Sequence, residues 1–185
     1  GGSNTGVGFA CLRYGTTGSG NAGFGSGALQ NNTASSNTGI GYLALNANTT
    51  GSSNVAVGTE SVDANTTGNS IVGIGFRALT KNTTADYNVA IGSGAMHENQ
   101  TGENNTAVGR AALYSNENSN NTAFGSLSLY LNTSGTLNAG CGRGALQSNT
   151  TGSYNTAMGG YALVANTTAS DNTAVGYNAL NDNIT

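Results

Sequence analysis

The chain has 185 residues, of which 36% are hydrophobic and only 7% are charged, and its formal net charge is −3. Five Lys and Arg residues are too few to neutralise a nucleic-acid backbone, and no apolar run approaches the roughly 18 residues of a membrane-spanning helix. The first twenty residues lack a signal-peptide pattern, so the sequence predicts a soluble segment without a targeting sequence. Low charge together with regularly recurring apolar residues also argues against disorder.

A glycine recurs along the whole chain at a nearly constant interval, and two of the ten intervals are one residue shorter than the other eight. Aligned on this glycine, which we number position 0, the chain contains eleven copies of one unit, so residues 1–185 are predicted to form a single repeat domain. We number the coils 1 to 11 after these glycines, which are Gly8, Gly25, Gly41, Gly58, Gly75, Gly92, Gly109, Gly125, Gly142, Gly159 and Gly176.

The columns of this alignment are chemically uniform. Position −1 is apolar in every copy, position +4 is Leu, Val or Met, and position −2 is always Ala or Gly. Asn stands at −4 and at +7 in ten of the eleven copies each, the exceptions being Ile71 and Gly15. The second Asn is followed by Thr-Thr-Gly or a close variant, as at residues 49–51, which is typical of a turn.

A unit of this length is too short for a pair of helices but suits one coil of a solenoid. The sequence therefore predicts an all-β parallel β-solenoid, a β-roll of eleven coils of about 17 residues each. The Asn-Thr-Ala-Val-Gly segment forms the strand and a second, shorter apolar stretch follows around Ala-Leu. Coils stacked about 4.8 Å apart would form a rod about 50 Å long, with identical residues in ladders.

Alternation along the strand predicts that positions −3 and −1 share one face and position −2 the other. We assign the apolar −1 side chains to the interior. Two aliphatic side chains per coil are too few to offset the ordering of the chain, so a second buried face is expected. The small −2 column would let another chain approach closely, which predicts a trimer contact at Ala56, Ala90, Ala107, Ala123, Ala157 and Ala174.

Two residue types are expected to have special backbone or side-chain roles. The repeat glycine predicts a positive φ or a close approach by another backbone. Asn at a fixed bend tolerates the left-handed region, and its amide can also bond the Asn above and below in a ladder. We expect both uses of the Asn columns.

The unit Asn-Thr-Ala-Val-Gly-x-x-Ala-Leu, found at residues 105–113 and 172–180, resembles the head repeats of YadA-like trimeric autotransporter adhesins. Similar Asn-Thr-Gly-rich repeats occur in phage tail fibres and bacterial surface proteins. The resemblance covers essentially the whole chain, although the family unit is commonly shorter than the unit found here and the 185 residues include no anchor, stalk or neck. It implies a left-handed β-roll, three chains around one axis and an exposed binding fibre.

These observations lead to the expected function. The first hypothesis is a non-enzymatic, extracellular fibre or adhesin segment at a cell or virion surface, a homotrimeric rod that displays a tip for a host-surface or glycan receptor. The chain holds eleven whole periods from Gly1 to Thr185 without capping sequences, which predicts either a window of a longer fibre or a subunit stacked head to tail. The second hypothesis is accordingly a self-polymerising filament subunit of a surface or matrix coat. A carbohydrate- or ice-binding solenoid is the third.

Catalytic and metal chemistry find little support in the sequence, and no cofactor is expected. His97 is the only histidine, and we interpret it as a solvated turn residue beside Glu98. Cys11 and Cys141 lie eight coils apart, too far to pair, and both are predicted to be small buried thiols. The acidic residues form no column, which argues against a calcium-binding roll.

The second Asn column carries repeated glycosylation motifs. Two interpretations remain open: turn residues in an amide ladder, or acceptors that are glycosylated at least in part. The candidate residues are Asn48, Asn65, Asn82, Asn99, Asn132, Asn149, Asn166 and Asn183, with further motifs at Asn31, Asn104 and Asn120.

Recognition, if the rod has a ligand, is expected at positions +1 and +2, where the side chains vary most. A neutral spacer would vary there as well. The Thr pairs after the second Asn could order water, but they lapse at Gln100, Glu117 and Asn118. The variable residues include Phe9, Tyr42, Glu60, Phe76, Arg77, Arg110, Leu127, Arg143, Tyr161 and Tyr177.

Overall fold

The computed structural model describes residues 2–15 and 17–184. Gly1 and Thr185, the ends of the predicted repeat array, lie outside the described residues, as does Thr16. The described chain is a parallel β-solenoid without helices, which confirms the predicted fold class. Its eleven strands, β1 to β11, are Thr5–Val7, Ala22–Phe24, Thr38–Ile40, Val55–Val57, Val72–Ile74, Val89–Ile91, Thr106–Val108, Thr122–Phe124, Ala139–Cys141, Thr156–Met158 and Thr173–Val175.

The strands form one parallel sheet in which spatial order follows chain order. Each strand pairs with the equivalent positions of its neighbours, so that Val55 faces Val72 and Val57 faces Ile74 across the ladder between β4 and β5. This register stacks each column of the alignment directly, which explains why the columns are chemically uniform.

The two shorter units keep this register because the missing residue falls in the turn after the second Asn. In a unit of full length the Nδ2 of Asn48 donates to the carbonyl three residues ahead, at Gly51, over 2.8 Å. In a shorter unit the Nδ2 of Asn32 reaches Ala34, two residues ahead, over 2.9 Å. The shorter turn therefore still places a backbone carbonyl where the Asn side chain can bond to it, and the strands on either side remain aligned.

The predicted orientation of the strand is wrong, because the −2 side chains point inward and the −1 side chains point outward. All six predicted trimer-contact alanines are interior residues, Ala56, Ala90, Ala107, Ala123 and Ala157 being 0% exposed and Ala174 3%. They are small because the coil is narrow: a Cβ on Gly39 would lie 3.0 Å from both the Leu29 Cγ and the Ala44 carbonyl oxygen. These alanines offer no surface to another chain.

The apolar stretch around Ala-Leu is a turn rather than a second strand. In coil 3 the N–H groups at +3, +5 and +7 donate to the carbonyls at 0, +2 and +4 over 3.2 to 3.4 Å, forming three overlapping β-turns. The residues at +2 and +4 have a left-handed backbone conformation, and φ of every +4 residue lies between 49° and 53°. That conformation costs about 1–2 kcal/mol, which burial of a Leu side chain, at about 1.5–3 kcal/mol, offsets.

Two ladders of asparagine amides line the interior. In the −4 ladder the side-chain oxygen accepts the backbone N–H of the next copy, as from Asn54 to Asn37 Oδ1 over 2.9 Å. In the +7 ladder the amides bond directly, as from Asn65 Nδ2 to Asn48 Oδ1 over 2.8 Å. The predicted amide ladder is thus confirmed, but these Asn residues lie outside the left-handed region, so that second expectation is wrong.

The prediction for the repeat glycine is confirmed, because φ at position 0 lies between 126° and 139° in all eleven copies. Space is restricted as well: a Cβ on Gly92 would lie 2.5 Å from the carbonyl oxygen of Gly109 in the next coil. Both conformation and close backbone approach therefore require glycine here.

Candidate functional site

The outward face of the sheet carries an uncharged apolar ribbon formed by the −1 and −3 columns. The −3 positions hold Thr, Ala or Val, and no charged residue occurs in either column. This ribbon extends over all eleven strands, which at about 4.8 Å per step is about 48 Å. Its large −1 side chains that are between 36% and 70% exposed are Val7, Phe24, Ile40, Ile91, Phe124, Met158 and Val175.

The two cysteines do not match their predicted surroundings. Cys141 belongs to the −1 ribbon and is exposed, which contradicts its prediction as a buried thiol. Cys11 is half-buried, and burial raises the pKa of its thiol. Neither is in a disulfide.

The predicted glycosylation residues of the second Asn column lie inside the coil. Seven of them, from Asn48 to Asn166, are 0% exposed, and only Asn183 is partly exposed. The Nδ2 atom that would carry a sugar donates inside the coil, as from Asn149 to Asn132 Oδ1 and to Gly152 O over 2.8 and 2.9 Å. Attachment there would require the coil to open. Asn31 is half-buried, whereas Asn104 and Asn120 are exposed.

The hydroxyls of the threonines at position +8 donate hydrogen bonds to backbone carbonyls, so they are not free to order water. The Thr49 hydroxyl donates to the Thr66 carbonyl over 2.9 Å, and the Thr66 hydroxyl donates to the Thr83 carbonyl over 3.0 Å. The same bond recurs in other coils, as from Thr150 to Thr167, so this column stabilises the stack.

The variable +1 and +2 positions contribute to a groove of about 260 Å³ on the turn side of coils 5 to 7. Three predicted recognition residues, Phe76, Arg77 and Arg110, come together there. Its remaining lining residues are Ser93, Gly94, His97, Ala111 and Tyr114. The other predicted recognition residues do not line it; they are Phe9, Tyr42, Glu60, Leu127, Arg143, Tyr161 and Tyr177.

His97 and Tyr114 form the wall of this groove and come from position +5, which the sequence analysis did not single out. Their rings are stacked, with centroids 5.0 Å apart and planes 2° apart, and Tyr130 continues the row at 5.3 Å from Tyr114. The His97 side chain is only 16% exposed, so its interpretation as a solvated turn residue is wrong. A signal existed, since +5 is aromatic or His in three successive coils.

Two of the five Lys and Arg residues, Arg77 and Arg110, line the groove. Arg77 pairs with Glu60 through an Nε–Oε2 contact of 2.6 Å and lies over the Phe76 ring at 5.2 Å. Arg110 is exposed, and among the described residues no carboxylate lies within ion-pair distance of it. Within the described part of the chain, Arg110 is thus the cation of the groove that has no acidic partner.

A neighbouring ion pair neutralises the other charges near the groove. Lys81 donates to Glu98, which lowers the pKa of the Glu98 carboxyl and raises the pKa of the Lys81 ammonium. Glu98 also contacts His97 Nδ1 at 2.8 Å.

The described residues hold no group of three or more His, Cys, Asp or Glu side chains placed to bind a metal ion. No helix long and apolar enough to cross a membrane occurs in the described part of the chain. No protein-family model, curated protein or solved structure matches the chain. The function must therefore be argued from the two surface features above, the ribbon and the groove.

Proposed function

We propose that this chain is a structural, non-enzymatic segment of an extracellular fibre, which associates with identical chains into a stiff rod for surface attachment. The observation that carries the proposal is the apolar ribbon on the outward face of the sheet. Two strand positions wide and about 48 Å long, it covers about 300 Å² in plan, the size of the largest apolar patch on a typical monomer, which is often functional.

A second copy of the chain is the occupant that suits this ribbon best. Its side chains repeat at the spacing of a parallel sheet, and only a partner with the same spacing can match every step. Another copy supplies that spacing, and neither ribbon brings a charge that would need a counter-ion. The fibre resemblance supports a homotrimer, with the −1 and −3 columns as the contact in place of the interior alanines.

The internal construction supports a mechanical role. Parallel backbone bonds, two amide ladders and a continuous row of buried +4 side chains run along the same axis. Each coil stabilises its neighbours, so the rod resists local bending and unfolding without any charged network. The third candidate was a carbohydrate- or ice-binding solenoid, and its ice-binding alternative loses its basis because the +8 hydroxyls donate to carbonyls.

The test is the native mass of the chain, measured by light scattering across a wide range of concentrations. One chain has a mass of 18.3 kDa, and a trimer has three times that mass. Ile91→Glu, at the centre of the ribbon, places like charges at the contact and is expected to give monomers. Leu127→Glu is the matched control, because Glu60 already occupies the same position in coil 4.

A fixed mass near three chains that falls only in Ile91→Glu supports the proposal. A wild-type chain that stays monomeric at every concentration overturns it. A mass that rises steadily with concentration would instead favour the polymerising filament, and loss of the trimer in Leu127→Glu alone would place the contact on the turns.

A further inference from the structure

We propose that the groove on coils 5 to 7 binds one acidic sugar ring, a pyranose that carries a carboxylate. This goes beyond the structural role above and is independent of it, because the groove lies on the turns and the ribbon lies on the strands. The proposal rests on an open slot, an aromatic wall and an unpaired cation in one place.

The slot exists because coil 6 has a small side chain at +1 between two large ones, and none at +2, where coil 7 has only Ala111. At +1 the order from coil 5 to coil 7 is Phe76, Ser93, Arg110, and at +2 Gly94 follows Arg77. Coils 5 and 7 are about 10 Å apart, at two sheet spacings. One ring in van der Waals contact on both sides needs about 7–8 Å, so the slot accepts one ring and not two.

This slot is not a general property of the repeat. Glycine also stands at +2 in two other coils, but there the next coil fills the space: a Cβ on Gly144 would lie 2.8 Å from Tyr161, and Gly27 is covered in the same way by Leu43. At Gly94 the next +2 residue is only an alanine. The nearest atom to an added Cβ is then Tyr114 Cε2, at 3.6 Å, so the space stays open.

The walls of the slot suit a sugar. Tyr114 packs between His97 and Tyr130, so it presents the edge of its ring beside Gly94, and Phe76 on the other side is 53% exposed. Aromatic faces pack well against the C–H face of a pyranose because their electron-rich surface attracts polarised C–H groups. The Ser93 hydroxyl supplies a donor and acceptor at the floor for a ring hydroxyl.

The cations select an acidic ligand. Arg110 has no carboxylate partner among the described residues, and its planar guanidinium can bind a carboxylate through two parallel hydrogen bonds. Arg77 adds charge at the opposite side, although Glu60 neutralises part of it. Lys81 is paired with Glu98, and the same three coils also hold Asp86, Glu103 and Glu117, so the selection rests on Arg110 and not on an excess of positive charge.

The experiment titrates the intact chain with methyl β-D-glucuronide and follows binding by saturation-transfer NMR. Methyl β-D-glucoside is the neutral control, and sodium sulfate tests for a simple anion site. Arg110→Ala is expected to weaken glucuronide binding at least about tenfold, while Arg143→Ala, at the same position in coil 9, leaves it unchanged. Gly94→Leu fills the slot and abolishes binding; Leu43 shows that leucine fits this left-handed position.

Circular dichroism of each variant establishes that the coil is intact before binding is compared. Glucuronide binding that is lost in Arg110→Ala and in Gly94→Leu but kept in Arg143→Ala supports the proposal. Equal binding of glucoside, full competition by sulfate, no measurable glucuronide binding, or unchanged binding in Arg110→Ala would each overturn it.

Discussion

Replacing one interior asparagine should test whether the amide ladder holds the coils together. Asn149 Nδ2 donates to Asn132 Oδ1 and Gly152 O, and its Oδ1 accepts from Asn166 Nδ2 over 2.8 Å. Asn149→Ala leaves Asn132 Oδ1 and one N–H of the Asn166 amide buried without partners, whereas Asn166 Nδ2 keeps its bond to Ala169 O and Gly152 O keeps its bond from Asn138. At about 1–3 kcal/mol for each orphaned group, the free energy of unfolding should fall by about 4 kcal/mol.

The assay is urea unfolding followed by far-ultraviolet circular dichroism, at one protomer concentration because association would add to stability. Asn183→Ala is the control: the residue is partly exposed, and among the described residues its side chain makes one hydrogen bond, to Asn166 Oδ1 over 3.1 Å. It orphans one group, Asn166 Oδ1, where Asn149→Ala orphans two, and should therefore cost about 2 kcal/mol, half as much. If Asn149→Ala costs no more than this control, the ladder is not a major source of stability and the argument fails.

Three further variants probe other columns. Asp63→Asn should stabilise the chain at pH 7, because burial raises the pKa of the Asp63 carboxyl and its Oδ1 lacks a partner; the gain, discounted for partial exposure, is about 0.5 kcal/mol. A carboxyl whose pKa is raised by folding lowers stability once the pH rises above its unfolded pKa, so the urea unfolding curves of variant and wild type should coincide at pH 3. A variant that is still more stable than the wild type at pH 3 would contradict the reasoning. Gly92→Ala should lower the free energy of unfolding by more than about 3 kcal/mol or prevent folding, whereas Gly94→Ala, with open space around its Cβ, should lower it by about 1 kcal/mol. Equal decreases of stability in thermal unfolding would refute the backbone clash at Gly92. Glu98→Gln should lower the Tm at pH 7 but not at pH 2. Lys81 lowers the pKa of the Glu98 carboxyl, and the stability that this confers is lost as the pH falls through that lowered pKa. A change in Tm that does not depend on pH would show that the ion pair is not responsible.

The candidate groove was only partly visible in the sequence. Variation at +1 and +2 pointed to Phe76, Arg77 and Arg110, because a repeat with a constant frame changes most where side chains face outward. The wall formed by His97 and Tyr114 was missed, since +5 is polar or aliphatic in most coils and gives no pattern on its own. An opening between coils depends on which small residue lies beside which large one, and that requires the stacking register.

The period of the repeat determined much of this molecule without a structure. It predicted a single domain, parallel coils in register, a glycine with positive φ and amide ladders, because residues that recur at one spacing stack on themselves in a solenoid. Alternation along the strand also showed that −1 and −3 share a face. It could not show which face is inside, because alternation is the same in both directions.

Only the tertiary structure decided that question. The +4 side chains fill the interior from left-handed turn positions, which propensity would assign to Gly or Asn. Because they fill it, the space that remains beside the strand admits no side chain larger than Ala. The large −1 side chains must then point to solvent, which turns a predicted core into an exposed ribbon. Inside and outside were set by the volume available in a narrow coil, a property of the closed turn that no single column reveals.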